Sequence, residues 1–275
     1  MERRVPWLAV AALVAATASG MLHFWVGGAP LTYVVLNGLS LLLGLVIVSV
    51  PMRSLAGRVV TGLVGIGVAG IATTLLSGFD LEGVRRWLPI GPIRLHAAML
   101  LLPAIMVLLP RLSGAGQIGI VTALGAIFAI QPDLGAALAL AAAFLFSRVG
   151  RGEHGVTAIG AAASIAAVAI TSLRPDPLDP VPFVERVVPD AFATSAMLAL
   201  LIGTTLIFAC VAPLFVQPRN ARAARSLAGV MAGFTLASII GPYPVPLSGY
   251  GASSILGYAL ALAVLRASIV PSKAG

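Results

Sequence analysis

Apolar residues in this chain come in long runs rather than alternating with polar ones. Ten stretches, at roughly 6–27, 30–50, 59–77, 95–110, 116–131, 133–147, 155–172, 191–216, 225–241 and 250–268, carry almost no charge. About 20 apolar residues in a helix cross a hydrocarbon core, and about 17 is a working minimum. Barrel strands would alternate inward and outward positions, which these runs do not. Backbone polar groups in lipid must be satisfied within their own segment, so uninterrupted runs predict helices. The pattern therefore predicts an all-α integral membrane protein of about ten transmembrane helices, with 1–275 as a single polytopic domain. Gln131-Pro132-Asp133 alone divides the fifth run from the sixth, and only the connections 78–94 and 173–190 are long.

Composition strengthens this picture. The chain is 59% hydrophobic and 9% charged, with a mean hydropathy of +1.06. Soluble domains carry about 25% charged residues, so this chain takes the bilayer as its solvent. The formal charge of +8 is a matter of topology. With the N-terminus inside, Arg3, Arg4, Arg53, Arg58, Arg111, Arg148, Arg151, Arg219, Arg222, Arg225, Arg266 and Lys273 fall on the inner side, 12 of the 17 basic residues. Arg85, Arg86, Arg94, Arg174 and Arg186 fall outside, with most of the acids. Cytoplasmic loops carry the Lys/Arg excess, so both termini are expected in the cytoplasm. Anionic membrane lipid is the expected partner of the basic face, and nucleic acid has no place.

The N-terminal MERR, an apolar run and Ala16-Thr17-Ala18 imitate a signal peptide. The run continues to Val26, which suits a retained anchor. Cys210 is expected as a small core residue, since no Cys or His lies near it at metal-ligand spacing. No metal site and no cofactor motif is present, and a divalent cation stays open as a helper.

Three outer segments carry the candidate chemistry. The first is GVRRWLPIGPIRLHAAM, residues 83–99. A positive-inside bias makes Arg85, Arg86 and Arg94 unusual outside, and guanidinium forks bind phosphate bidentately. Trp87 is either an interfacial anchor or a ligand contact. The second is QPDLG, where Asp133 follows a Pro-broken helix junction and is placed to cap the next helix; a carboxylate near the membrane edge is also a site candidate. The third comprises 173–190 and 241–254. Asp176, Asp179, Glu185 and Asp190 are the acids of the first part. Tyr250, Ser253 and Ser254 belong to the second, whose serines either cap the last helix or bind hydroxyls and phosphate.

In this order the motifs resemble the SEDS family (shape, elongation, division and sporulation). Gly83-Val84-Arg85-Arg86-Trp87 is similar to its G-x-x-R-W, Gln131-Pro132-Asp133-Leu134-Gly135 reproduces its Q-P-D-L-G, and Tyr250-Gly251-Ala252-Ser253-Ser254 resembles its S-Y-G-G-S-S, with Gly249 and Ala252 as substitutions. The resemblance covers about residues 30–268 and implies a multi-pass protein of the bacterial cytoplasmic membrane. It implies a glycosyltransferase that polymerises a lipid-linked saccharide of the lipid II type for peptidoglycan, in cell division or cell shape, beside a class B penicillin-binding protein. The family pattern P-E-A-H-T-D-F aligns with Pro189 to Ser195, so Asp190 matches its Glu and Thr194 stands at its catalytic Asp. Where the family has Q-P-S-E, this chain has His96-Ala97-Ala98-Met99.

Glycosyl transfer needs a base for the accepting hydroxyl and a charge clamp for the leaving pyrophosphate. Thr194 supplies no basicity near neutral pH. The expected catalytic residue is Asp190, with Asp179 and Glu185 as alternatives. Arg85, Arg86, Trp87, Arg94, Asp133, Tyr250, Ser253 and Ser254 are the expected substrate contacts. The rival reading is a catalytically degenerate relative that binds lipid-linked precursor or scaffolds an envelope-synthesis complex. A precursor flippase ranks below both, because the span interiors hold almost no ionisable groups.

Overall fold

A computed structural model describes residues 6–50, 55–76, 80–91, 93–150, 152–174, 176–215 and 220–267. Arg3, Arg4, Arg53, Arg151, Arg219 and Lys273, counted above for orientation, lie outside the described residues. Helices α1 (Trp7–Val26) and α2 (Leu31–Ser49) each follow a proline, Pro6 and Pro30. A missing N–H costs nothing at a helix start. Trp7 and Trp25 sit near opposite ends of α1 and are 69% and 71% exposed, as amphipathic rings at two membrane interfaces would be. Helix α3 (Gly57–Thr73) ends before the first long connection.

That connection is more ordered than a loop. Strands β1 (Trp87–Ile90) and β2 (Ile93–His96) form an antiparallel hairpin pairing Trp87 with His96 and Pro89 with Arg94. It leads into α4 (Ala97–Leu108) and a 3-10 turn, Leu109–Arg111. Helix α5 (Gly114–Ile130) is capped by Ser113, and α6 (Leu134–Arg148) by Asp133. Helix α7 (His154–Ser172) follows. The expected run 191–216 is divided. A short helix α8 (Val187–Thr194) ends at Ser195, whose extended backbone and side chain cap α9 (Ala196–Val211). Ser195 accepts from Leu198 N–H, so the chain restarts a helix there rather than continuing one. Helices α10 (Ala221–Ile240) and α11 (Ala252–Ala267) complete the order.

Five of these segments are at least 18 residues long and apolar enough to cross a membrane: Trp7–Val26, Leu31–Ser49, His154–Ser172, Ala196–Phe215 and Ala221–Ile240. Shorter apolar helices fill the other five runs. The architecture is an all-α bundle of a multi-pass membrane protein, with the hairpin as the sole sheet among the described residues.

Helices in lipid gain nothing by hiding apolar surface from hydrocarbon, so close packing of small residues must hold them. The centre is built that way. Helices α6 and α10 pack together, as do α4 and α11. Gly229 and Gly233 form a small-xxx-small face on α10, where added Cβ atoms would lie 2.5 Å from Ala142 O and 2.4 Å from Ala139 Cα. A Cβ on Gly257 would fall 2.0 Å from Met99 O. Phe128, Phe144 and Tyr258 fill the space around these contacts, fully buried. Helices α2, α7 and α9 lie outside and present Leu39, Leu42, Ile159, Ile165, Leu200 and Ile207 outward. Asn37, Ser40, Gly44 and Val48 are the buried residues of α2, with Asn37 fully buried.

Candidate functional site

The polar residues at one end of the bundle assemble from four segments. Glu82 and Gly83 have φ of 51° and 84°, which turns the chain sharply before the hairpin. Asp80 accepts from Gly83 N–H at 2.6 Å and from Arg85 Nε at 2.9 Å. The Arg85 hydrogen bond holds the Asp80 carboxyl below its ordinary range. Burial alternates over Val84, Arg85 and Arg86. Arg85 is exposed, whereas Arg86 is 3% exposed. The neighbouring arginines therefore face opposite ways.

Arg86 is engaged within the protein through both of its terminal nitrogens. Its Nη1 donates to Asp176 Oδ2 at 2.6 Å and its Nη2 to Pro132 O at 2.5 Å. The guanidinium carbon lies 5.9 Å from the centroid of the Tyr243 ring. Arg86 thus joins two of the sequence motifs, and Asp176 balances its charge in a site where each side chain is 4% exposed. Asp133 caps α6 through Oδ1, which accepts from Ala136 N–H at 2.9 Å. Its Oδ2 lies 3.5 Å from His96 Nε2. His96 Nδ1 accepts from Met99 N–H at the start of α4, so a neutral ring carries its proton on Nε2, facing Asp133. Burial, with Asp176 nearby, pushes the Tyr243 hydroxyl up to about 12 and keeps it neutral.

A groove of about 440 Å³ opens beside this cluster, lined by Trp87, Ile93, Arg94, Val181, Glu185 and Tyr250, among others. It shares Trp87, Arg94 and Tyr250 with a recess of about 80 Å³ that His96, Ser253 and Ser254 also line. The larger volume falls within the range of small-molecule sites. Glu185 is the carboxylate of the groove. Its Oε2 accepts from Val181 N–H, and burial pushes its pKa from 4.5 up to about 7.

The wall opposite the hairpin is irregular backbone held by specific bonds. Val245 N–H donates to Val184 O at 2.9 Å and Tyr250 N–H to Phe183 O at 2.7 Å. Asn37 donates to Gly249 O and accepts from Gly251 N–H, both at 3.0 Å. Tyr33 stacks on Tyr250 with centroids 3.6 Å apart. Gly249, a substitution in the motif, has a packing reason: a Cβ there would lie 2.7 Å from Val245 O and 2.8 Å from Val184 O. Gly251 has φ 137°, a conformation that favours glycine. Ser253 Oγ accepts from His96 N–H and Ser254 Oγ from Leu247 N–H, so both serines tie segments together at the recess.

The structure thus brings Trp87, Arg94, Glu185 and Tyr250 to one groove, with Ser253 and Ser254 in the recess that shares Trp87, Arg94 and Tyr250 with it. Arg85, Arg86, Asp133, Asp179 and Asp190 are not among its lining residues. Asp190 sits on α8 with Arg186 Nε at 3.8 Å, and Asp179 is exposed. Sequence reasoning did not single out Asn37, Tyr33, Phe183 or Tyr243. Asn37, a lone amide in an apolar run, carried a usable signal, because polar groups inside spans are costly unless partnered. Among the described residues, no three of His, Cys, Asp and Glu stand where they jointly hold a metal ion.

Neither a protein-family model nor a curated protein matches the chain. Solved structures do. Over 96% of its length the chain is similar to the rod shape determining protein RodA of Thermus thermophilus, at 20% identity, 95% of that chain and a TM-score of 0.67. A mutant of the same protein matches at 19% identity, over 96% and 95% of the two chains, with the same TM-score of 0.67. A structure described as showing structural coordination of polymerization and crosslinking by a peptidoglycan synthase complex matches at 21% identity, over 96% and 98%, with a TM-score of 0.65. The fold is therefore that of a SEDS-type multi-pass membrane protein. More particularly, it is the fold of RodA across nearly the whole of both chains.

Proposed function

We propose that the chain is a compact, divergent SEDS protein of the bacterial cytoplasmic membrane that transfers glycosyl units of a lipid-linked saccharide for peptidoglycan synthesis. In this reading ten segments cross the bilayer, both termini are cytoplasmic and the groove opens outward. The fold of RodA and the order of the three motifs support the class. The observation that carries the chemistry is the placement of Glu185 in the same groove as Trp87 and Arg94.

Glu185 takes the role of base in place of Asp190. A carboxyl poised at about 7 is ionised in a useful fraction at neutral pH and is a stronger base than an ordinary carboxylate. It accepts the proton of the attacking hydroxyl as that oxygen bonds the anomeric carbon and the pyrophosphate departs. Arg94, at the rim, meets the phosphate charge, and Trp87 and Tyr250 offer flat faces to a sugar. Arg86 acts indirectly, by fixing the Asp176 loop beneath the groove. No step is assigned to a divalent cation.

The engagement of Arg86 within the protein favours a second reading, a relative that binds precursor or scaffolds a synthesis complex without turnover. A class B penicillin-binding protein is the partner in either case, supported by the likeness to a peptidoglycan synthase complex. Polymerisation of labelled lipid II by the purified full chain, with and without such a partner, separates the readings. Wild-type product that falls by about 10²–10⁴-fold in Glu185→Gln, and hardly in Asp190→Ala, is the expected outcome. Loss in Asp190→Ala alone moves the base to α8. No product from the wild type with its partner present supports the non-catalytic reading.

A further inference from the structure

We propose that Phe183 is a positioning residue for Glu185, seating the turn that carries the carboxyl at the groove through a ring socket on α1 and α2. The turn is bracketed by two non-glycine residues in the left-handed region, Phe183 at φ 64° and Arg186 at φ 59°. A bulky residue adopts that region only where its surroundings over-determine it. The surroundings here are aromatic and close. The Phe183 ring lies 5.4 Å from His23, 5.9 Å from Phe24 and 6.3 Å from Tyr33, edge-on to the last two. Gly27 leaves it room, since a Cβ there would be 2.8 Å from the ring.

Every other bond of the turn is local or runs to the 243–251 segment. Glu185 N–H donates to Val181 O at 3.2 Å while its carboxylate accepts from Val181 N–H, which closes the turn on itself. Phe183 O and Val184 O accept from Tyr250 and Val245. The ring is thus the turn's direct contact with the first two helices, beside the indirect tie to α2 through the 243–251 segment, Asn37 and Tyr33. It is not among the residues lining the groove, so its effect on chemistry passes through Glu185. The charged and titratable groups facing Glu185 are Asp176 and Arg86 beneath it, and Arg94 and Tyr250 across the groove.

The catalytic meaning of this inference rests on Glu185 being the base, but its test does not. The full chain carries glutamates only at Glu2, Glu82, Glu153 and Glu185, so carboxyl-¹³C glutamate in nanodisc-embedded protein gives a short spectrum, assigned through Glu185→Gln. In the wild type the Glu185 signal should titrate at about 7. Phe183→Asn accepts the left-handed backbone without strain yet removes the ring, and should lower that midpoint by about one pH unit or more as water reaches the turn. Phe183→Leu, which keeps apolar bulk, should lower it less. A midpoint unmoved in both variants, each eluting as the wild type, overturns the proposal even if Glu185→Gln abolishes polymerisation. A midpoint that moves while no variant makes glycan leaves the positioning role standing and removes the enzyme reading. Should Phe183→Asn fail to fold, Phe183→Leu carries the same criterion.

Discussion

The two polar ends of this bundle use arginine in different ways. At one end the guanidinium groups serve backbone carbonyls. Arg266 donates to Val48 O at 2.9 Å, Arg225 to Val149 O at 2.8 Å and Arg111 to Leu55 O at 2.5 Å. Two of these acceptors are at the ends of α2 and α6, where the last carbonyls lack helical partners and the dipole is negative. Arg148 is ion-paired with Glu153 and shares the Gln117 amide oxygen with Arg222. At the other end the arginines meet carboxylates: Arg86 with Asp176 and Arg85 with Asp80. Carbonyl contacts occur here too: Arg174 donates to Ala129 O near the end of α5, Arg85 to Leu75 O just past α3 and Arg86 to Pro132 O. What sets the groove end apart is an ion pair with both side chains buried, Arg86 with Asp176, beside a groove that keeps one carboxyl, Glu185, at its wall; the Arg148 pair at the other end leaves Glu153 46% exposed.

The largest predicted break in this contrast is Arg86→Ala. It strands the Asp176 carboxylate in a dry site and should destabilise the detergent-solubilised protein by about 3–5 kcal/mol in reversible unfolding. The double variant Arg86→Met with Asp176→Leu should regain most of that loss, because the charge that needed a partner is gone. Equal losses in single and double variants would mean that packing, not charge, holds the groove end. At the opposite end Arg266→Ala removes contacts to carbonyls that water at the interface can replace. Its expected cost is about 1 kcal/mol, shrinking at high salt.

The smallest effect concerns pH. Folding raises the pKa of Glu185 from 4.5 to about 7, so the native state binds more protons than the unfolded state between those values. Stability contributed by this group is therefore full below about 4.5, falls as pH rises toward about 7 and is flat above. The difference in melting temperature between wild type and Glu185→Gln should change across that window in this direction. A difference that ignores pH would place Glu185 in water rather than in the groove wall. In activity the sign reverses, since only the ionised form accepts a proton, so turnover should rise through the same midpoint.

Much of this was legible in the sequence. The ten apolar runs became helices because length and hydropathy are local properties that lipid enforces segment by segment. Asp133 was readable as a cap, since a carboxylate just before a helical run has free N–H groups within reach. The break at Ser195 was missed, because Thr194 and Ser195 are tolerated inside an otherwise apolar helical run, and it is the docking of α8 against α9 that makes Ser195 a cap. The opposite facing of Arg85 and Arg86 was likewise hidden. Arg86 is buried by its bonds to Asp176 and Pro132 on distant segments, and the hairpin that follows lay in a stretch with two prolines and a glycine that read as loop.

The choice between Asp190 and Glu185 shows where the boundary falls. The sequence by itself determined the class of protein and the four acids, Asp176, Asp179, Glu185 and Asp190, that are candidates for a site. Those follow from one-dimensional quantities, the run of apolar residues and the order of short motifs. Which acid shares a wall with Trp87 and Arg94 was decided by how the 181–186 turn folds onto 243–251 and α1. Glu185 and Asp190 are five positions apart, yet only the tertiary contacts of Phe183 and the start of α8 turn one toward the groove and leave the other beside Arg186. Spacing along a chain cannot encode that, because an irregular turn takes its direction from the surfaces it packs against.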